Sequence, residues 1–585
     1  MTKGKVSEFT KQMFAKQYLP ALSSAVVLSV ADMADALVVG NRMGATGLAA
    51  IAFSIPVFMI YNVIMHSFGL GGAVYFSGRM SKGKEDEAKA DYRGMLATVL
   101  ALGIIIAILG NVFTDPITSM LGASASNPEL FGATAVYLRI LFITAPFFFF
   151  SYTVGYYMRN DDLAWETSIA SQIGNGCDFF FNIILVLLCG MGVMGAALST
   201  LLGAIITSGI ELFFIYYKNS HLRILPIRCS FRNVLRNFRT GVSSCISYIY
   251  TFVFILIANN ALFRIAGELG VAVFEIVQSI SYMMTYVFNA ISMAAQPILS
   301  TYESECNFEE SDRTQGLLRN VTAITSVILI VFIAVFAEQI CTLFGLSGTE
   351  ALEYGTYALR MFCLCIFFAG INILQANIYT SRDIAVPAFI LTSLRGFVIV
   401  MPVMLICIAI GQRAFWYTYS VTEIITCLVI FIYLKFFLKE TKRVDKERIY
   451  SKTLRSNLEE LNQMLPQIEE FCEKWEADMK QMYYVQMTVE EVCSAIIQSG
   501  FAGAGRDEGL IQLTLIANGQ KGFALNIRDN AVSFNPFALN KKSLEDFDDS
   551  STEDFNALGM DIIKQKAKSF YYRRYQGFNT MVVKI

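Results

Sequence analysis

Charge is scarce in this chain: 16% of its 585 residues are Asp, Glu, Lys or Arg against 55% hydrophobic, at a mean hydropathy of +0.50. Globular chains run at roughly 25% charged, so an ordinary soluble fold is excluded. Nor does one sign dominate. Forty-six basic and 48 acidic residues leave a formal charge of −2, which excludes nucleic acid as a whole-chain polyelectrolyte partner. Only two histidines are present, His66 and His221, too few for a His-rich metal site, and no metal site is expected. The twelve cysteines form no pair of spaced doublets, and Cys363/Cys365 alone is not a redox motif. No cleavable leader is visible either. The start, MTKGKVSEFTKQMFAK, is basic, but the apolar run after it has spanning length and lacks a small-residue cleavage signature.

The scarcity is uneven. Residues 1–440 hold 54 of the 94 charged groups, about 12% of that stretch, and residues 441–585 hold the other 40, about 28% of theirs. The first part therefore addresses lipid and the second water. A membrane helix needs roughly 20 apolar residues, and the first part supplies twelve such stretches, near 17–40, 47–76, 92–113, 132–158, 165–188, 192–217, 237–263, 271–300, 318–337, 351–379, 384–410 and 414–438. Basic residues gather after stretch 2 (Arg79, Lys82, Lys84, Lys89, Arg93), after stretch 6 (Lys218, Arg223, Arg228, Arg232, Arg236, Arg239) and after stretch 12 (Lys439, Lys442, Arg443, Lys446), whereas the connections after stretches 3, 5 and 9 have none. Short basic loops stay cytosolic, so both termini are expected inside, in a multi-pass protein of the cytoplasmic membrane.

The chain also repeats itself. Residues 135–164 read against 356–385 at an offset of 221, aligning Arg139 with Arg360 and Asp162 with Asp383, and ADALVVG (34–40) reads against NNALFRI (259–265) at 225. A parallel repeat of six helices puts a binding cavity at the interface of the halves or inside one, near mid-bilayer.

Helix 1 and its sequel, YLPALSSAVVLSVADMADALVVGNRMGATGLAAIAFSIPV, resemble the opening of the multidrug and toxic compound extrusion (MATE) transporters. GGAVYFSGRMSKGKEDEA, CGMGVMGAALSTLLG and AGINILQANIYTSRDIAVPAFILTSLRGF match the same family in order. The resemblance covers residues 10–440. It implies an all-α polytopic fold of twelve transmembrane helices in two six-helix bundles, 1–216 and 237–440, joined by a connector at 217–236 and related by a pseudo-two-fold. It also implies exchange of a coupling cation, H⁺ or Na⁺, for an amphipathic organic cation. The family places an acidic residue in helix 1, here Asp35. In helix 5 the family has Asn and then Asp; here the order is exchanged, Asp178 then Asn182.

Physical chemistry points to the same residues. An ionisable group at mid-membrane is costly and a functional candidate by default, and a carboxylate poorly solvated there can load and release a proton. Asp35, Asp178 and Asn182 are the expected coupling site, with Asp32 on the same helix face as Asp35. The bland alternative is that they tie helices together. Asn259 and Asn260 stand where the first half has Asp35, so the proton site is expected in the N-terminal half. Glu275, Asn260 and Gln278 are candidates for the cavity, although Glu275 could equally end a helix at the outer interface. Glu211, Arg395 and Glu423 are the other polar groups in spans, with Arg360 and Arg395 read as snorkelling near helix ends.

In the second part, 441–455 reads as a charged helical linker. NLEELNQMLPQIEEFCEKWEAD and YVQMTVEEVCSAIIQSGF are amphipathic helices, GLIQLTLIANGQKGFALNIRD is a strand pair around NGQKG, and a helix near 556–568 precedes a last strand pair. Helices on one face of a mixed sheet make a small cytosolic α/β sandwich domain. Its order resembles the GHKL ATP-binding fold over 456–585, especially the anti-sigma-factor serine kinases. The resemblance is degenerate: Glu490 opens the first motif, but Ser494 and Gln498 stand where Asn and His would. Asp529 matches the adenine-recognising Asp, but Ala531 and Ser533 replace both glycines, and Gly559 is what remains of the second glycine box. The Asn normally helps hold Mg²⁺ and the glycines let backbone approach phosphate, so a weakened or empty ATP/Mg²⁺ pocket is expected, in a regulatory module that could take a cytosolic protein partner. The reading is thus a cation-coupled exporter of organic cations that requires no cofactor, in contact with membrane lipids. Its rivals are a flippase for lipid-linked saccharide, which would want cationic residues in its cavity, and a membrane-anchored sensor ATPase or kinase, which would need intact phosphate-binding glycines.

Overall fold

The computed structural model describes residues 6–80, 84–123, 127–161, 163–218, 220–224, 234–305, 307–382, 385–436, 446–501, 509–517, 522–538, 552–575 and 578–585. Asp162 and Asp383, aligned by the repeat, and the hairpin turn at 518–521 lie outside that set, as does the side chain of Asp32.

The first part is helical throughout: α1 (Glu8–Met65), α2 (Gly71–Met80), α3 (Glu85–Val112), α4 (Thr114–Leu121), α5 (Pro128–Asn160), α6 (Ala164–Asn182), α7 (Val193–Tyr217), α8 (Val234–Ser304), α9 (Phe308–Val335), α10 (Ala337–Leu343), α11 (Thr349–Cys363), α12 (Ile366–Ser381), α13 (Ala385–Ser393), α14 (Val400–Ile410) and α15 (Thr418–Phe436). Among the described residues, nine helices are long and apolar enough to cross a membrane, or ten with the bent pair α11–α12 taken as one span. Stretches 1 and 2 run together as one helical segment, as do stretches 7 and 8. The breaks fall at single glycines, Gly44 (φ 61°, ψ −140°) and Gly267 (φ 63°, ψ −156°), in a region of backbone space that a Cβ all but forbids.

These two glycines stand 223 positions apart, and the spacing recurs. Helices α3 and α9 are both 28 residues long and begin 223 apart, and each is followed by a short helix ending in a positive-φ glycine, Gly122 and Gly345. Even the outward faces correspond. Ile104, Ile105, Ile108 and Leu109 on α3 are exposed, as are Val327, Ile328, Val331 and Phe332 at the matching positions of α9. Rows of bare apolar side chains of this size fit lipid, not water.

The two halves close against each other at the end away from the tail. Helix C-termini leave carbonyls without intrahelical partners, and each half caps the other's short helix. Asn41 of α1 donates to the Leu343 carbonyl at 2.5 Å, and Asn260 of α8 donates to the Leu121 carbonyl at 3.1 Å. A Cβ on Gly345 would lie 1.9 Å from the Gly40 carbonyl oxygen, so only glycine permits this approach. At the tail end the halves part around a cleft of about 610 Å³ between Pro20–Leu28 of α1, Tyr286–Gln296 of α8 and the end of α12.

The tail is β1 (Ile449–Arg455), α16 (Leu458–Lys474), α17 (Met479–Ala495), β2 (Leu510–Ala517), β3 (Phe523–Asp529), α18 (Thr552–Lys566), β4 (Ser569–Tyr575) and β5 (Phe578–Lys584). Two expectations are corrected. Residues 449–455 form an edge strand, not a helical linker: IYSKTLR alternates side chains and pairs antiparallel with β2. The sheet, ordered β1-β2-β3-β5-β4, is antiparallel at every pairing and not mixed. The expected β2–β3 hairpin, final strand pair and three helices are present. Helices α16, α17 and α18 supply Met464, Ile468, Val489, Val492 and Met560 to a core over Leu513, Leu525, Ile527 and Met581.

Candidate functional site

Asp35, half-buried on α1, accepts a short hydrogen bond from the Asn182 side-chain amide at the end of α6. A π-helical turn, Ile183–Leu188, follows Asn182 directly, a local widening that recurs at functional sites. One turn back on α6, Asp178 meets the Ser199 and Thr200 hydroxyls of α7, with its Oδ1 buried and unpartnered among the described residues. Glu275 of α8 is 5% exposed, takes the Ser279 hydroxyl on Oε1 at 3.5 Å and leaves Oε2 without a partner among the described residues. Buried Tyr137 of α5 lies within electrostatic reach of all three, Asp35, Asp178 and Glu275. Thus Asp35 and Asn182 meet directly, Asp178 lies one turn back on the same helix as Asn182, and Glu275 of the other half is buried instead of ending a helix at the surface. The exchange of Asp and Asn along α6 leaves the carboxylate of residue 178 a turn away from Asp35, with the amide of 182 as the direct partner.

Helices α6 and α7 cross tightly enough to hold this cluster because both carry glycine at the crossing. A Cβ on Gly174 would sit 1.8 Å from Thr207 Oγ1, and one on Gly203 would sit 2.9 Å from Asp178 Cβ. Below the crossing a cavity of about 270 Å³ is lined by Asp178, Thr200, Thr207, Thr167, Arg159 and Glu211, among others.

The second half builds a different site. Arg395 Nε donates to Glu423 Oε1 at 2.5 Å, Asn372 donates to Glu423 Oε2 at 2.7 Å, and the Tyr419 hydroxyl donates to Gln278 at 2.6 Å, all on the wall of a cavity of about 380 Å³. This corrects the reading of Arg395 as snorkelling: its π-helical turn, Leu394–Val398, turns the guanidinium onto Glu423. The i,i+28 spacing gave no local signal for that pair. Gln278 lines this cavity. Asn260 is not among the residues lining that cavity; it seals the far end through the Leu121 carbonyl.

The tail packs on both halves. Arg528 of β3 forms a buried ion pair with Glu305 at the end of α8 and lies over the Tyr302 ring, 5.2 Å from its centroid. Asn307 donates to Ser451 of β1 at 2.9 Å, and Tyr302 donates to Gln512 of β2 at 3.1 Å. From the first half, Phe9 of α1 makes an edge-on contact with Phe578 at 5.4 Å and Gln12 accepts from Asn530 at 3.1 Å.

The residues at the expected nucleotide position do not fit a nucleotide. Asp529 is fully buried; its Oδ1 takes Asn579 Nδ2 at 2.7 Å and the Ala531 amide at 2.9 Å. The Asn579 amide therefore already makes the bond that a purine amino group would make. Arg574 holds Asn579 in place by donating to its Oδ1 at 2.9 Å. A Cβ on Gly559 would lie 2.4 Å from Glu491 Oε2, so this glycine serves packing of α18 on α17. Glu490 is exposed, and Ser494 offers a hydroxyl on a side chain shorter than the Asn whose amide oxygen the resembled fold presents to Mg²⁺. Among the described residues no cluster of His, Cys, Asp and Glu could hold a metal ion.

Comparison with known proteins gives a consistent picture. The family profile MatE matches residues 20–188 and 240–406, and the profile of the histidine kinase-like ATPase domain matches 454–585. The multidrug export protein MepA of Staphylococcus saprophyticus is 24% identical over 420 residues, 69% of this chain and 88% of that protein. The probable multidrug resistance protein YoeA of Bacillus subtilis is 24% identical over 396 residues, 64% of this chain and 81% of its own. Among solved structures, an inward-facing multidrug resistance MATE family transporter aligns at a TM-score of 0.64 and 21% identity over 71% of this chain and 97% of that one; an outward-facing structure aligns at 0.55 and 21% over 73% and 95%.

Proposed function

The chain belongs to the MatE family, and from that premise we propose that it is a cation-coupled exporter of amphipathic organic cations working by alternating access. The carrying observation is the Asp35–Asn182 hydrogen bond between α1 and α6, one turn from Asp178, with buried Tyr137 within electrostatic reach of Asp35, Asp178 and Glu275. Carboxylates whose described partners are amides and hydroxyls in a membrane interior can exchange a cation for cationic cargo, whereas a saccharide-pyrophosphate flippase would need net positive charge there. Among the described residues, the one cation lining the second-half cavity, Arg395, is spent on Glu423. The names of MepA and YoeA support drug export as the kind of activity.

Helical rise supports twelve crossings. The segment Glu8–Ser77 spans about 105 Å at 1.5 Å per residue, more than three hydrocarbon thicknesses; broken at Gly44 it makes two crossings. Cys245–Glu303, broken at Gly267, makes two more, and the bent pair α11–α12 makes one. With the other seven helices this gives an even number, so the termini share a side, and the basic loops place that side in the cytosol. The sealed far end and the cleft at the tail end then correspond to an inward-facing state of two bundles. The tail acts without nucleotide, as a clamp on the cytosolic ends of α1 and α8, one from each half.

The reading is tested by efflux of a cationic dye from proteoliposomes under an imposed pH or Na⁺ gradient. Asp35→Asn should abolish gradient-driven exchange, and the gradient that drives the wild type names the ion. Undiminished exchange in the variant would remove the cluster from the mechanism.

A further inference from the structure

Asp178 has one neighbour across its cavity whose chemistry the coupling site does not use. Glu211, on α7, is 1% exposed. Its Oε1 accepts the Thr167 hydroxyl at 2.9 Å, and its Oε2 is buried without a partner among the described residues. The pair Thr167–Glu211 is itself accommodated by a glycine. A Cβ on Gly155 of α5 would lie 3.0 Å from Thr167 Oγ1 and 3.4 Å from Glu211 Oε1. A strut between α6 and α7 accounts for Oε1. It does not account for a second carboxylate oxygen left bare in the membrane interior, where an orphaned polar atom is costly and a charged one more so.

Position supplies the rest. Glu211 lies two turns beyond Gly203, the glycine packed on Asp178, hence about 12 Å further along α7. It is six residues, about 9 Å, short of the end of α7 at Tyr217, after which comes the basic connection read as cytosolic. The cavity of about 270 Å³ that joins the two carboxylates is walled by hydroxyls of Thr200, Thr207, Thr167 and Ser171 and has room for several waters. The groups facing Glu211 are Arg159 from α5, at the cytosolic mouth, Thr167 from α6 and Tyr92 from α3.

We propose that Glu211 is a second cation-loading carboxylate, and that the cavity between it and Asp178 is the passage by which a proton travels between the mid-membrane site and the cytosol. In the inward-facing state a proton leaves Asp178 for the cavity water while Glu211 Oε2 accepts and releases one at the mouth, beside Arg159. No bond other than O–H forms or breaks. The inference rests on the antiport reading above and adds the route and its second station.

The test uses the full chain in proteoliposomes, with a cationic dye as cargo, an imposed pH gradient, and a Na⁺ gradient as the parallel arm. Glu211→Gln keeps the Thr167 hydrogen bond but cannot carry a proton. It should slow pH-driven exchange at least tenfold and flatten its pH profile while dye binding stays as in the wild type; Glu211→Asp should recover part of the rate. Wild-type exchange in Glu211→Gln alongside a dead Asp178→Asn would overturn the relay and leave the antiport intact. Wild-type exchange in Asp178→Asn as well would overturn the antiport reading itself. If Glu211→Asp recovered none of the rate, or if only the Na⁺ gradient drove exchange, the relay would equally be refuted.

Discussion

The substitution Asp529→Asn should stabilise the tail at neutral pH and remove much of its pH dependence. The carboxylate is fully buried, its Oδ2 has no partner among the described residues, and burial pushes it up from 3.8 to about 6 despite the amides of Asn579 and Ala531 and the charge of Arg574. In the unfolded tail it returns to about 3.9. The folded tail therefore binds this proton more tightly than the unfolded one. Its contribution is fully present below about pH 4 and is lost as pH rises through 6. Two pKa units correspond to about 3 kcal/mol. The amide that replaces the carboxylate would keep an oxygen for Asn579 and Ala531 and never ionise. The variant should match the wild type near pH 4 and exceed it by up to about 3 kcal/mol at pH 8. Urea titrations of the full chain carrying Trp165→Phe and Trp416→Phe would follow Trp475 alone, within the tail. A wild-type tail more stable at pH 8 than at pH 4, with the substitution removing the difference, would refute the reasoning, because the charge would then have a stabilising partner. MgATP should leave both midpoints unmoved, and a rise confined to the wild type would restore a nucleotide to this pocket.

Arg528→Gln should release the tail from the membrane part. Arg528 and Glu305 are 4% and 8% exposed, and removing one partner of a buried pair costs about 3–5 kcal/mol, a fall of at least about a hundredfold in the docked-to-free ratio; hydrogen exchange of β1 and β2 in the full chain would show it as lost protection, and unchanged protection would disprove the clamp. Gly345→Ala should destabilise the sealed far end, since its φ of 83° costs Ala about 1–2 kcal/mol before the contact with the Gly40 carbonyl is counted. Labelling of a cysteine placed at Asn41 from the far side should rise, and an unchanged labelling rate would argue that the seal is made elsewhere.

What is legible in the sequence is whatever repeats along the chain. Apolar stretches, basic loops and the offsets of 221 and 225 are spacings along the chain, and Asp35, Asp178 and Asn182 stand out as polar groups inside such stretches. What stays hidden depends on which helices meet. Nothing near Arg395 in the chain indicates Glu423, and nothing near Glu275 indicates Tyr137; both read as polar groups in spans, and only packing assigns them partners. The 449–455 strand reads as a linker because its charges look like those of one, and an edge strand with one face against helices keeps many of them. In the tail the motif losses point to an empty pocket, but not to Asn579 as the group that satisfies Asp529.

The repeat also explains why the two halves cannot do the same work. Gly174 stands 221 positions before Arg395, and Gly203 stands 220 before Glu423. At the same crossing of equivalent helices, one half has two glycines in contact and the other has an ion pair. Glycines let α6 and α7 close on each other, so that Asp178 is left beside a polar cavity with an oxygen that has no partner among the described residues. An arginine at the matching place fills the space and neutralises the carboxylate there. A cation arriving in the first half meets an open acceptor; one arriving in the second must first displace a guanidinium held by a charge-assisted bond, worth about 1.5–3 kcal/mol. On the antiport reading proposed above, the carboxylate left open at this crossing is the first half's Asp178, and the second half contributes Glu275, not Glu423, to the cation site.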